Sequence, residues 1–136
     1  VFTHGGVSKD FIEYGGFNLE KINNIMRQSI ARTKQEMKSS NFYDMYFGNK
    51  SLIWYRGYFY DDLTNIDISK ILKLVNSEHI VVGHCSNDEV VQLYNNKIFG
   101  VDSSIKKGKY GEVLFIKNKR FFRGTLNGKL IKFKSK

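Results

Sequence analysis

The sequence predicts an α/β fold that closes in an antiparallel β-meander. Three observations lead there. Short apolar runs stop at glycine and histidine, with Val1-Phe2-Thr3 before His4-Gly5-Gly6 and Ile80-Val81-Val82 before Gly83-His84. Between them, apolar residues recur at helical spacing. Beyond residue 104, apolar strand-like runs alternate with Asn-Lys and Asn-Gly pairs, the signature of hairpin turns.

Residues 1–3 read as the end of a buried strand, and Gly5-Gly6 turns the chain. Tyr14-Gly15-Gly16 is a second break. Asn18 is suited to cap a helix over residues 19–38, where Leu19, Ile22, Ile25, Met26, Ile30 and Met37 share a face. Residues 41–60 hold nine aromatic side chains without a single period. They read as an irregular segment that buries its rings across the mouth of a site. Asp67 is placed to cap a second helix over 68–77, with Ile71, Leu72 and Val75 inward. Residues 79–82 and 97–103 are expected strands. Residues 112–117 are apolar on both faces, as in a strand covered on both sides. Asn118-Lys119 and Asn127-Gly128 are the hairpin turns. The expectation is a single domain over residues 1–136.

A chain of 136 residues, 41% hydrophobic and without proline, is long enough to bury a core. One cysteine, Cys85, excludes an internal disulfide and suits a reducing compartment, hence a cytoplasmic location. No apolar run approaches the roughly 20 residues of a membrane-spanning helix, so no membrane partner is expected. Val1 is not an initiator, which suggests that it is internal to a longer protein. The net charge of +9 is uneven: residues 1–104 hold 11 basic and 12 acidic residues, whereas 105–136 hold 11 basic residues and only Glu112. Such a tail can dock nucleic acid or an acidic partner, or it can be a solvated lysine-rich face.

Chemistry concentrates at three places. His4 and His84 each follow a strand and sit beside glycine, where the backbone can pass close to an ion. Neutral imidazole is the commonest transition-metal ligand. Arg56, in Ile53-Trp54-Tyr55-Arg56-Gly57, offers a planar fork suited to two phosphate oxygens. Metal-assisted hydrolysis of a phosphate ester is the chemistry this pattern suggests. Trp54 and Tyr55 could equally stack on a substrate or anchor their loop. Cys85 reads as a small buried side chain, His79 as a strand-start residue, Asp61 and Asp62 as a solvated pair, and Asp102 as a turn brace.

In that order, Val1-Phe2-Thr3-His4-Gly5-Gly6-Val7, Ile53-Trp54-Tyr55-Arg56-Gly57-Tyr58 and Ile80-Val81-Val82-Gly83-His84 resemble the C-terminal half of calcineurin-like metallophosphoesterases. Residues 98–104 and 111–116 fit the same pattern. The resemblance is to the bacterial protein-phosphatase-like branch, which includes Shewanella-like phosphatases. It implies the C-terminal half of a four-layer α/β/β/α sandwich, with the N-terminal part of the domain absent. It implies two divalent metal ions (manganese, iron or zinc), one of them partly ligated here by His4 and His84. It implies Arg56 at the substrate phosphate, and a hydroxide bound between the metals as the attacking group.

The Asp-x-His and Asn-His-Glu motifs of that family's first half are not in this sequence, and Cys85 stands where threonine is usual after Gly-His. Two histidines are fewer than the three protein ligands a catalytic metal site usually needs. The fragment is therefore expected to act only with a missing N-terminal half. The expected function is a metal-dependent serine/threonine-type phosphatase acting on a phosphorylated protein or a small phosphoester. Dinucleoside polyphosphate hydrolysis is the first alternative. A basic module binding nucleic acid or an acidic partner through residues 105–136 is the second.

Overall fold

A four-stranded sheet positions the residues of interest. In the computed structural model, which describes residues 1–33, 35–36 and 41–133, strand β1 (Phe2–Thr3) pairs in parallel with β2 (Ile80–Val82), and β2 in parallel with β4 (Ile98–Gly100). β3 (Val91–Leu93) closes the sheet antiparallel to β4, giving the order β1-β2-β4-β3. β2 is buried throughout, which is why it reads as an unbroken aliphatic run. Ile80, Val82 and Ile98 meet Val7, Ile68 and Ile71 in the main core. A second cluster gathers Phe11, Ile22 and Tyr46.

The helices start where side chains satisfy their free N–H groups. Ser8 caps α1 (Lys9–Gly15) by accepting from the Phe11 N–H at 3.0 Å, and its hydroxyl donates to the Lys50 carbonyl. Asn18 caps α2 (Leu19–Ser29) as expected, accepting from the Lys21 N–H. α2 then stops well short of residue 38. Thr33 and Glu36 exchange hydrogen bonds as a reciprocal cap, which starts a new turn instead of continuing the old one. Met37 and Lys38 lie outside the described residues.

The aromatic segment forms two short helices, α3 (Asn41–Tyr46) and α4 (Gly57–Tyr60), separated by turns. Only part of it reaches the site. Phe42 and Tyr46 pack instead against α1 and α2, with Phe11 in edge contact with Tyr46. α5 (Asn65–Leu74) begins three residues before the expected start. Thr64 is the N-cap, and Asp67 completes the reciprocal capping box from inside the helix.

The chain ends in the expected meander of β5 (Glu112–Lys117), β6 (Arg120–Thr125) and β7 (Leu130–Lys132). Asn118 and Lys119 both take positive φ, as a tight hairpin turn requires, and Gly128 does so in the next. The expectation that β5 is covered on both faces is corrected: Val113 is 61% exposed, and Phe115 and Ile116 are also exposed. These strands form their own sheet. Its inward contacts include Phe121, stacked on Phe99 with ring centroids 4.4 Å apart, and the edge of His79.

A buried carboxylate braces this sheet internally and ties it to the segment before β3 through the Val90 N–H. Glu112 has a fully buried side chain and accepts two bonds from the Arg123 guanidinium, each 2.8 Å. It also accepts from the Val90 N–H and the Tyr110 hydroxyl. The Arg123 hydrogen bonds outweigh burial and hold the Glu112 carboxyl at about 2, below its ordinary 4.5. A carboxyl depressed on folding stabilises above its unfolded value and loses that contribution as pH falls through the folded value. Glu112→Ala is therefore expected to cost about 2 kcal/mol at pH 7, since it leaves the buried Val90 N–H without its acceptor and takes from Arg123 its bidentate carboxylate, leaving the guanidinium only Glu89. The deficit should shrink between pH 4.5 and pH 2. Urea denaturation across that range measures it, and an unchanged midpoint at pH 7 would contradict the role given to the pair.

Candidate functional site

The parallel pairing of β1 with β2 sets Thr3 beside Val82, so the residues just beyond each strand emerge together. The Gly83 N–H donates to the His4 carbonyl at 2.9 Å. His4 Nε2 and His84 Nδ1 lie 2.8 Å apart, one ring donating to the other. His84 adopts φ 64°, a left-handed conformation uncommon for a residue with a side chain. Such backbone concentrates at functional sites.

The segment bearing Arg56 is docked onto the same place. The Thr3 hydroxyl and the Gly5 N–H both donate to the Leu52 carbonyl at 2.7 Å. Glycine is needed at position 5, because a Cβ there would sit 2.6 Å from the Ile53 carbonyl oxygen. Trp54 then meets the edge of His84 with centroids 4.8 Å apart, and the Arg56 guanidinium lies 5.7 Å from the Trp54 ring centre. His4, His84 and Arg56, separated by up to 80 positions in the chain, thus converge at the C-terminal ends of parallel strands. Ligands in open α/β sheets generally bind there. Trp54 anchors its loop against His84 and still presents 44% of its surface.

The electrostatics favour a neutral imidazole at His84. Burial lowers its pKa below the ordinary 6.5, and the positive charge of Arg56 and the neighbouring His4 lower it further. Its Nε2 is buried and has no hydrogen-bond partner among the described residues. Cys85 is buried, and burial raises its thiol pKa against the opposing pull of Arg56. A thiol held protonated is a poor nucleophile.

A polar clasp behind His84 has no signature in the sequence. Asp102 accepts from the Ser86 hydroxyl at 2.7 Å and the Ser104 N–H at 3.0 Å. The Asn87 N–H donates to the Asp102 carbonyl, and the Ser104 hydroxyl donates to the Asn87 carbonyl. Burial pushes the Asp102 carboxyl up, but the bonds from Ser86 and Ser104 outweigh it, and the group stays below its ordinary range. Asp102 thus braces a turn, as the sequence suggests. His79 stands just before β2 against Phe99 and Phe121. Asp61 and Asp62 are exposed, Asp61 accepting from the Tyr55 hydroxyl at 3.4 Å.

The expected cofactor is corrected. Among the described residues no group of three His, Cys, Asp or Glu side chains could hold a metal ion. Instead of turning two nitrogens toward a common ion, His4 and His84 direct one ring nitrogen each at the other. The residues present do not fit two divalent ions.

No family model and no curated protein matches the chain. Solved structures do. A cold-active protein tyrosine phosphatase is 38% identical with a TM-score of 0.90, the match covering 98% of this chain and 39% of that one. The cold-active protein-tyrosine phosphatase of a psychrophilic Shewanella species is 37% identical with a TM-score of 0.91, covering 98% and 40%. A mutant of a cold-active protein tyrosine phosphatase matches equally well. The chain therefore spans about two-fifths of the length of these structures. The likeness corrects the resemblance drawn from the motifs: the matched structures are protein tyrosine phosphatases, and the calcineurin-like metallophosphoesterase assignment is set aside. The mixed α/β class stands. The described strands form one four-stranded and one three-stranded sheet, and the mixed α/β class is the part of the fold expectation that the likeness supports. Among the described residues no helix is long and apolar enough to cross a membrane.

Trp54 is the one tryptophan of the chain and touches His84, so its fluorescence reports the titration of that ring. The emission is expected to change with pH around a midpoint below 6.5, and His84→Asn should abolish the change. A midpoint above 6.5 would contradict the buried, cation-flanked environment assigned to His84.

Proposed function

We propose that the protein is a phosphatase, hydrolysing phosphomonoesters carried by proteins, and that His4, His84 and Arg56 form the phosphate-holding side of its active site. The observation that carries this reading is the buried Nε2 of His84, without a partner among the described residues, in the cluster that contains Arg56. A buried polar atom without a partner is costly unless a ligand completes it. A phosphate oxygen can do so while the guanidinium takes others. His4 fixes the His84 ring through the bond to Nδ1 and decides which tautomer it shows the substrate.

The likeness to protein tyrosine phosphatases supports the same reaction class, and a phosphorylated tyrosine is the substrate those neighbours suggest. No likeness found supports dinucleoside polyphosphate hydrolysis or a nucleic-acid module in residues 105–136.

In the full-length protein containing this chain, Arg56→Ala should lower kcat/KM on para-nitrophenyl phosphate by about 100-fold or more, the scale for one lost donor to a developing oxyanion. His84→Asn should do likewise, and His4→Ala should lower activity less and displace the acid limb of the pH profile. Steady-state kinetics with circular dichroism as a folding control test this. Wild-type turnover retained in both Arg56→Ala and His84→Asn would refute the assignment.

A further inference from the structure

The cleft beside Arg56 does not end there. A cavity of about 490 Å³ is lined by Trp54, Tyr55, Arg56 and Tyr60, with the Lys50–Asp10 ion pair at its side. A second cavity of about 650 Å³ adjoins it and shares Lys9, Tyr55 and Leu63 as walls. Its floor and far side are Ile71 and Leu74 of α5. Ile71 is buried beneath it, whereas Leu74, one turn on, is 55% exposed. An exposed leucine is unremarkable when scattered singly. Here it extends an apolar surface already made by Leu63, Ile71 and the Tyr55 ring.

The rim of the second cavity is cationic. Lys9, Lys70 and Lys73 border it, and Lys73 has no acidic partner among the described residues. Lys9 pairs with Glu13 at 3.3 Å and Lys70 with Asp67 at 3.9 Å, both well exposed. Such pairs are weak and exchange readily for a better-placed carboxylate. Asp67, the acidic residue in this lining, is engaged by Thr64 in the helix cap.

We infer that this trough is a docking site for the polypeptide flanking the phosphorylated residue, taking one apolar side chain over Ile71 and Leu63 with acidic residues beside it against Lys70 and Lys73. The inference rests on the phosphatase reading, because the first cavity is placed by Arg56. It goes beyond that reading by selecting acidic protein segments over small phosphoesters, which could occupy only the first cavity. Charge complementarity names the occupant: the rim presents three lysines, and its one carboxylate is already committed.

The test uses the full-length protein and phosphotyrosyl peptides in which a leucine and an acidic pair are walked along either side of the phosphorylated residue. One register is expected to give the lowest KM. In Lys70→Glu/Lys73→Glu the KM for that peptide should rise about tenfold with kcat unchanged, and a lysine-flanked peptide should improve. Para-nitrophenyl phosphate kinetics should not move. Leu74→Asp should erase the preference for leucine while leaving that for acidic residues. Equal KM for all peptides, or equal losses on peptide and para-nitrophenyl phosphate, would overturn the inference. If wild type fails to hydrolyse para-nitrophenyl phosphate at all, the phosphatase reading fails separately. Fluorescence anisotropy with the same peptides then still decides the trough: affinity lost in the charge-reversed variant supports it, and unchanged affinity refutes it.

Discussion

The parallel pairing of β1 with β2 is the constraint on which the site depends. The two strands are only two and three residues long, and their register of Thr3 against Val82 leaves His4 and His84 nowhere to go but side by side. The sheet's burial between α5 on one face and Phe121 of the terminal sheet on the other gives that register its fidelity, because a one-residue slip would turn Ile80 and Val82 out of the core. The pairing has chemical consequences. Two imidazoles are forced within hydrogen-bonding distance, one of them has its Nε2 buried, and a guanidinium is brought to the same place by a loop stitched to β1 through the Leu52 carbonyl. Each feature alone is common. Together they leave a single buried nitrogen without a partner among the described residues.

Much of this is legible in the sequence, and the reasons are local. Val-Val-Gly-His and Phe-Thr-His-Gly-Gly signal strand ends because β-branched residues stop at glycine or histidine. The final hairpins are marked by Asn-Lys and Asn-Gly pairs, whose positive φ values the structure shows at Asn118, Lys119 and Gly128. Asn18 is a legible cap because its short side chain reaches the free N–H of Lys21. The convergence of His4, His84 and Arg56 is legible as three residue types suited to phosphate chemistry. A metal does not follow from them, because the spacing of two histidines says nothing about whether their nitrogens face an ion or each other.

The remaining differences between sequence and structure share a cause. Apolar periodicity over 19–38 continues through Ile30 regardless of the Thr33–Glu36 cap that interrupts the helix. Apolar residues occupy both faces of β5, but composition cannot say which face meets a partner. The Ser86–Asp102 and Ser104–Asn87 bonds of the clasp and the Glu112–Arg123 pair join residues 16, 17 and 11 positions apart. No local pattern announces them. The clasp matters because it holds the loop after β2, with its left-handed His84, against the rest of the fold, and the Glu112 carboxylate, accepting from the Val90 N–H, anchors the terminal sheet to the segment before β3.

The central claim is that the His84 nitrogen and Arg56 together hold a phosphoryl group. The most direct measurement is a titration of the full-length protein with inorganic phosphate, followed through the imidazole nitrogen resonances in ¹⁵N-labelled protein. A saturable shift of the His84 Nε2 resonance is expected, with a smaller one at His4 and loss of both in Arg56→Ala. Saturable phosphate binding that leaves the His84 ring unmoved would contradict the claim.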